Sequence, residues 1–394
     1  MKKDYSSFFV LGIILVGAVL RIPFTTIPTV LSYVADGLGV SVNSLGILTS
    51  IPLIMFAFCS SLAPRLADKF GLEKLFTMVL IAMFIGSSMR VINLPSLYIG
   101  TMIIGVSIAM MNVLLPSVIL ANQPLRIGLL TTVYTTAMGL ASSVASSVAV
   151  PIVKMTSWKG LILLLSFLIL LAWVVWFPNT FHNHVTEKDE EAHVGSLWKN
   201  KRALALLVFG GLQSLLFYTG MTWLPTMASQ AGVSSEAAGI LASIYSLISL
   251  PFSLTIPTLA TNLSAKNRKI MLAIVSACGI IGTGMLLFQS SSFVYWLLVN
   301  VLIGIAVSAL FPYLLVAFSM KSHTPSQTAQ LSGMVQSGGY FLAAFGPTLF
   351  GYSFDLFGSW TVAALCLFIC TIIMTVALFY TCLLYTSDAA DEED

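Results

Sequence analysis

Charge is what this sequence most lacks: 8% of its 394 residues are Asp, Glu, Lys or Arg, against 58% hydrophobic. A soluble domain carries about 25% charged residues. With a mean hydropathy of +0.97 and apolar runs of membrane-crossing length recurring along the chain, the composition excludes a soluble protein and defines a polytopic one. The net charge of +3 comes with no basic block, which argues against a nucleic-acid-binding surface. No GxxxxGK[ST] loop is present, so the chain carries no P-loop ATPase of its own. The five cysteines (Cys59, Cys278, Cys366, Cys370 and Cys382) show no metal-ligand spacing and read as buried apolar side chains. His182, His184 and His193 fall in one charged loop and read as solvated histidines, not as a zinc site. An enzyme would need clustered intramembrane His, Asp or Cys, and a sensor a soluble signalling domain; neither pattern occurs. No metal and no cofactor are expected.

Negative charge is scarcest of all inside the apolar runs. Asp4, Asp36, Asp68, Glu73, Glu187, Asp189, Glu190, Glu191, Glu236, Asp355 and the carboxylates beyond 387 lie in loops, at span ends or in the tail. No carboxylate therefore stands at mid-membrane to carry a proton. Asp36 and Glu236, at the outer rims of the two halves, either titrate there or are solvated helix starts. Export of lipophilic cations normally uses a buried negative group, and its lack weighs against that activity.

What is present is an ordered series of spans: near 8–30, 43–62, 74–93, 96–120, 128–150 and 158–177, then near 203–228, 236–258, 269–289, 292–318, 327–350 and 359–380. The expected fold is all-α, with twelve transmembrane helices in two six-helix bundles at 1–178 and 203–381. They are joined by a cytoplasmic linker at 179–202. The first span has no small-residue cleavage site after it and is not a removable signal peptide. With the amino terminus inside, fourteen Lys and Arg fall on the cytoplasmic side and only Arg90, Lys154 and Lys159 outside. This positive-inside bias puts both termini in the cytoplasm. The final stretch, CLLYTSDAADEED at 382–394, reads as a non-native tail in place of the true carboxyl terminus, or else as an acidic tail; neither reading carries function.

The halves echo each other. IPTVLSYVADGLGVSVNSLGILTS in the first corresponds to LPTMASQAGVSSEAAGILAS in the second, aligning Pro28-Thr29 with Pro225-Thr226, Gly39-Val40-Ser41 with Gly232-Val233-Ser234, and Gly46-Ile47-Leu48 with Gly239-Ile240-Leu241. YTTAMGLASSVASSVAVP and QSGGYFLAAFGP are each followed by a Ser-Trp pair, at Trp158 and Trp360. Repeated halves are how many secondary transporters frame a central site between bundles.

The loop APRLADKFGLEK between the second and third spans resembles the Gly-x-x-x-Asp-Arg-x-Gly loop of the major facilitator superfamily. Asp68, Lys69 and Gly71 fit, and Pro64 stands at the first glycine position. LRIPFTTIP, SLAPRLADKFGLEK, NVLLPSVI, VYTTAMGL, FGLQSLLFYTGMTWLP, AGVSSEAAGIL and LSGMVQSGGY with AAFGP resemble the bacterial cyanate/nitroimidazole permease branch, over residues 20 to about 360. The resemblance implies alternating access, with Asp68, Lys69 and Gly71 as a conformational switch. It leaves the solute open.

Several intramembrane polar residues are candidates for contact with a solute. Arg21 cannot readily lose its proton, and a charge facing lipid costs about 2.5–3.5 kcal/mol on insertion scales. It lines a cavity, pairs with a neighbour or snorkels outward; in a cavity its planar fork suits a small anion or planar polar molecule. Pro23 and Pro28 break the first span, freeing carbonyls for Thr25, Thr26 or the cavity. Asn112, one turn before Pro116, reaches solute or clasps a helix. Gln213 and Phe217 share a face of the seventh span, where an amide beside an aromatic orients a planar solute. Tyr218 and Tyr340 join this set, and Gln336, Gly338 and Gly339 suggest a flexible segment. Trp223 reads as an interfacial belt residue. Gly139, Ser143 and Ser147 read as a small-residue packing stripe. The expected function is secondary transport of a small polar or anionic solute, with a proton or other coupling ion as partner and the protein a monomer. The competing reading is a drug or toxic-metabolite exporter of the same fold.

Overall fold

In the bilayer core an unpaired N–H or C=O has no water to turn to, so a chain this apolar closes its backbone hydrogen bonds within helices. The computed structural model describes residues 8–40, 45, 47–184, 197–288, 290–322 and 324–383, and every regular element among them is helical. His193, the acidic residues Glu187, Asp189, Glu190 and Glu191, and the tail beyond 383 lie outside the described residues, as does the side chain of Glu236.

Polar residues start the helices. α7 (Leu94–Asn122) opens on Asn93, whose side chain accepts from Ser96 N–H. α9 (Trp158–Trp176) opens on Ser157, accepting from Gly160 N–H, and α10 (Lys201–Gln230) on Asn200, accepting from Arg202 and Ala203 N–H. Each cap satisfies donors that the first turn leaves open. Nine helices among the described residues are long and apolar enough to cross a membrane. They include α6 (Leu72–Met89), α8 (Ile127–Met155), α13 (Ala265–Met285), α14 (Phe293–Met320) and α16 (Thr361–Leu383), and one is a joined run, Ala237–Asn262. A tenth is counted if the bent pair Ile51–Cys59 and Leu62–Phe70, which meet at 60°, forms one span. Of the remaining expected spans, the first falls on a shorter apolar helix, Phe9–Thr25, and the eleventh on α15 (Pro325–Phe357).

The first span is broken where its prolines predict. α1 (Phe9–Val19) stops before Arg21, α2 (Ile22–Thr25) is a single turn with Pro23 in it, and a 3-10 turn over Ile27–Val30 leads into α3 (Leu31–Leu38). The Thr25 hydroxyl donates to the Arg21 carbonyl at 3.0 Å, one of the carbonyls at the break. Thr26 is fully buried and its hydroxyl has no hydrogen-bond partner.

The chain separates into two compact units. One comprises Met1–Ala192 with Val316–Gly333; the other comprises His193–Leu315 with Met334–Asp394. In the first, α1 packs on α8 and α9, α6 on α7 and α9, and α4 (Ile47–Cys59) on α7. A core of Ile22, Val30, Val34, Leu97, Trp158 and Leu161 underlies the broken span. Glycines permit the closest approaches: a Cβ on Gly17 would stand 2.7 Å from the Tyr134 carbonyl oxygen, and one on Gly100 would stand 2.3 Å from that of Gly86. In the second unit α10 packs on α16 and on α11 (Ser235–Leu247), and α13 packs on α16. Gly211 and Gly339 meet backbone to backbone there.

The expected packing stripe on the fifth span is not formed. Ser143 and Ser147 are exposed, and each hydroxyl donates back to a carbonyl of its own helix, at Gly139 (3.0 Å) and Ser143 (2.8 Å). Satisfied in this way, a serine needs no neighbouring helix. Trp223 is half-buried. Its indole N–H donates to the Pro347 carbonyl at 2.8 Å and its ring lies 5.3 Å from that of Trp360, so it ties α10 to α15 and α16.

Candidate functional site

In the first unit the break in the first span sets the geometry around Arg21. Arg21 is half-buried, and Thr25, one turn on, sits with its hydroxyl 2.8 Å from that of Ser142 on α8. This places a guanidinium and a hydroxyl pair at one opened helix turn. Asn112 is half-buried on α7, one turn before Pro116; the Pro116 carbonyl accepts from the Ser319 hydroxyl at 3.2 Å.

In the second unit three of the expected residues gather. The rings of Phe217 and Tyr218 lie 5.2 Å apart, those of Tyr218 and Tyr340 6.5 Å, and Phe217 stacks on Tyr245 at 6.2 Å. Gln213 is 2% exposed and donates Nε2–H to the Val307 carbonyl at 2.8 Å. Its amide is thus committed to α14, and Ser214 Oγ reaches its Oε1 at 3.4 Å. A small cleft opens beside it, lined by Ser214, Phe311, Val335, Gln336, Gly339 and Tyr340 among others. Its polar groups are an amide, a hydroxyl and a phenol; its walls are aromatic and aliphatic. The cleft is narrow, with room for about one water molecule.

Asp68, Lys69 and Gly71, the residues expected to form a switch, stand where α5 (Leu62–Phe70) gives way to α6. Asp68 Oδ1 accepts from the Ser326 hydroxyl at 3.3 Å, and Lys69 is exposed, its ammonium 5.4 Å from the centre of the Phe70 ring. Gly71 adopts φ +84°, a conformation that only glycine takes without strain.

Two charged residues have roles their sequence positions hid. Glu73, at a span end, is fully buried; it accepts from Asn122 Nδ2 at 2.6 Å and faces the His184 ring at 2.7 Å. Arg90, which the charge count puts on the outer side of the membrane, is 1% exposed and donates to the Pro23 carbonyl at 3.1 Å. No group of three or more His, Cys, Asp or Glu suited to a metal occurs among the described residues.

Long apolar helices in two units, several of them holding a proline, are those of a multi-pass membrane protein. The family model of the Major Facilitator Superfamily matches residues 11–347 and again 217–393, and the chain belongs to that superfamily. It is 34% identical over 384 residues to an uncharacterized transporter, YycB, of Bacillus subtilis (strain 168), covering 95% of this chain and 94% of that one. It is 31% identical over 371 residues, 93% of each chain, to the 2-nitroimidazole transporter of Escherichia coli (strain K12). The fold matches the proton:xylose symporter XylE with a TM-score of 0.71 at 14% identity, over 97% of this chain and 96% of that one. The protein is a multi-pass membrane protein and a secondary active transporter that works by alternating access.

Proposed function

We propose that the protein carries a small polar or anionic solute, nitroimidazole-like or cyanate-like, across the bacterial plasma membrane. The observation that carries this reading is the second unit's cleft, whose lining brings Ser214, Gln336 and Tyr340 together with Phe311 and which must widen to admit such a solute. That is the chemistry of a planar, polar, uncharged or singly charged molecule, and no buried carboxylate lines it to attract an organic cation. The 2-nitroimidazole transporter among the relatives, at 31% identity over nearly the whole chain, supports the same class. Arg21, Thr25 and Asn112 in the first unit, and Gln213, Phe217 and Tyr218 in the second, are the further candidates for contact with the solute.

In this reading the chain crosses twelve times, as bundles at 1–178 and 203–381 joined by a linker at 179–202. Both termini are cytoplasmic and the protein is a monomer coupled to a proton or other ion. Asp68, Lys69 and Gly71 form the conformational switch; the Ser326–Asp68 hydrogen bond supports that role, since it ties the loop to the first turn of α15. The test is solute-induced thermal stabilisation of purified protein by 2-nitroimidazole, cyanate and nitrate. Saturable stabilisation, lost in Gln336→Ala, supports the reading. Stabilisation only by large lipophilic cations overturns it.

A further inference from the structure

The start of the linker is bound into the loop that precedes α6. Asn183 Nδ2 donates to the Phe70 carbonyl at 3.1 Å, and Asn183 Oδ1 accepts from Lys74 N–H at 3.0 Å. The His184 carbonyl accepts from Leu72 N–H at 3.1 Å. In return the His184 N–H donates to Glu73 Oε2 at 2.7 Å, and the His184 ring nitrogen Nδ1 lies 2.7 Å from Glu73 Oε1. The fit is close enough that a Cβ on Gly71 would stand 2.1 Å from Asn183 Nδ2.

This arrangement answers two needs. The first N–H groups of α6 have no partner within their own helix, and the linker supplies partners to Leu72 and Lys74. Glu73 is 0% exposed, and a buried carboxylate is costly unless its oxygens are paired. Two donors of fixed identity, the Asn122 amide and the His184 backbone N–H, point at its two oxygens, with the His184 ring as the third partner. A carboxylate in the first turn of α6 also meets the favourable end of the helix dipole.

We propose that Asn183, through Phe70 and Lys74, and His184, through Leu72 and Glu73, are positioning residues that hold the Asp68–Gly71 loop in the register in which Asp68 accepts from Ser326. Asn183 and His184 are then a working part of the switch. This rests on the reading of that loop as the switch.

The experiment compares Asn183→Ala, His184→Gln and Glu73→Gln with Asp68→Asn in the full-length protein. Hydrogen exchange reads the amides of Leu72 and Lys74. In a background with the five native cysteines replaced by alanine, maleimide labelling of Q327C reads the first turn of α15. Amide exchange rising roughly fivefold for each hydrogen bond lost, with faster Q327C labelling approaching that of Asp68→Asn, is the expected result. Labelling that rises in Asp68→Asn but not in Asn183→Ala or His184→Gln overturns the inference alone. Labelling unmoved by Asp68→Asn overturns the switch reading beneath it. Should Glu73→Gln fail to fold, Asn183→Ala and His184→Gln carry the test, because each leaves the carboxylate and its Asn122 partner in place.

Discussion

Arg90 reaches back 67 positions to donate Nη1–H to the Pro23 carbonyl, at 3.1 Å, from a site that is 1% exposed. The accepting carbonyl belongs to α2, the single turn between the break at Arg21 and the 3-10 turn. A buried arginine thus holds a broken helix in place, with its own Nε left without a partner.

Arg90→Ala removes that donor and leaves the Pro23 carbonyl buried and unpaired. The expected cost is about 1–3 kcal/mol, read as a lower Tm in detergent by tryptophan fluorescence. Arg90→Lys keeps a charge but loses the planar fork, and should fall between. An unchanged Tm in Arg90→Ala would show that the break holds itself.

Gly100 and Gly239 separate packing from propensity. A Cβ on Gly100 would lie 2.3 Å from the Gly86 carbonyl oxygen and 2.6 Å from the Arg90 Cγ, whereas one on Gly239, within α11, meets nothing within 4 Å. Gly100→Ala should therefore destabilise by about 1–3 kcal/mol through forced separation of α6 and α7. Gly239→Ala should stabilise by about 0.4–1 kcal/mol, since it only removes backbone freedom from the unfolded chain. Thermal unfolding of the two variants side by side checks the sign of each.

Much of this architecture was legible because its causes are local. Apolar runs, capping residues such as Asn93 and Ser157, and the prolines that break the first span all act within a few positions of themselves. The aromatic group of Phe217, Tyr218 and Tyr340 was half-legible: the first two share a helix, while the third arrives from more than a hundred positions away. Glu73 and Arg90 were misjudged for the same reason. Each looks solvated at a span end, and each is buried by partners 49, 111 or 67 positions distant. Hydroxyls mislead in the opposite sense, since Ser143 and Ser147 pattern like an interface yet satisfy themselves on their own helix.

Gln213 and Gln336 should part company on substitution. Gln213 is bonded to the Val307 carbonyl, so Gln213→Leu loses stability, by about 1–3 kcal/mol for the buried carbonyl left behind. Gln336 is also buried but lines the cleft, so Gln336→Ala should cost stability as well, by about 1–3 kcal/mol, and in addition weaken protection by 2-nitroimidazole. Equal loss of protection at both positions, after correction for stability, would place the solute elsewhere.

Arg21 offers the sharpest separation of charge from structure. Three hydrogen bonds at the break use the Arg21 backbone carbonyl, which accepts from Phe24 N–H, Thr25 N–H and the Thr25 hydroxyl. Arg21→Gln keeps all three, so the backbone of the break should persist, and the Tm of the variant establishes that it is folded. What it removes is the guanidinium, whose planar fork pairs with two oxygens of nitrate at once and offers its charge and N–H donors to one end of linear cyanate. Protection by nitrate or cyanate should then fall at least tenfold in apparent affinity, about 1.4 kcal/mol, while protection by neutral 2-nitroimidazole changes far less. In wild type the anion effect should weaken with added salt if Arg21 is reached through water. Anion protection that survives Arg21→Gln in a folded protein would remove Arg21 from the site and leave the cleft around Gln336 and Tyr340 as the sole recogniser.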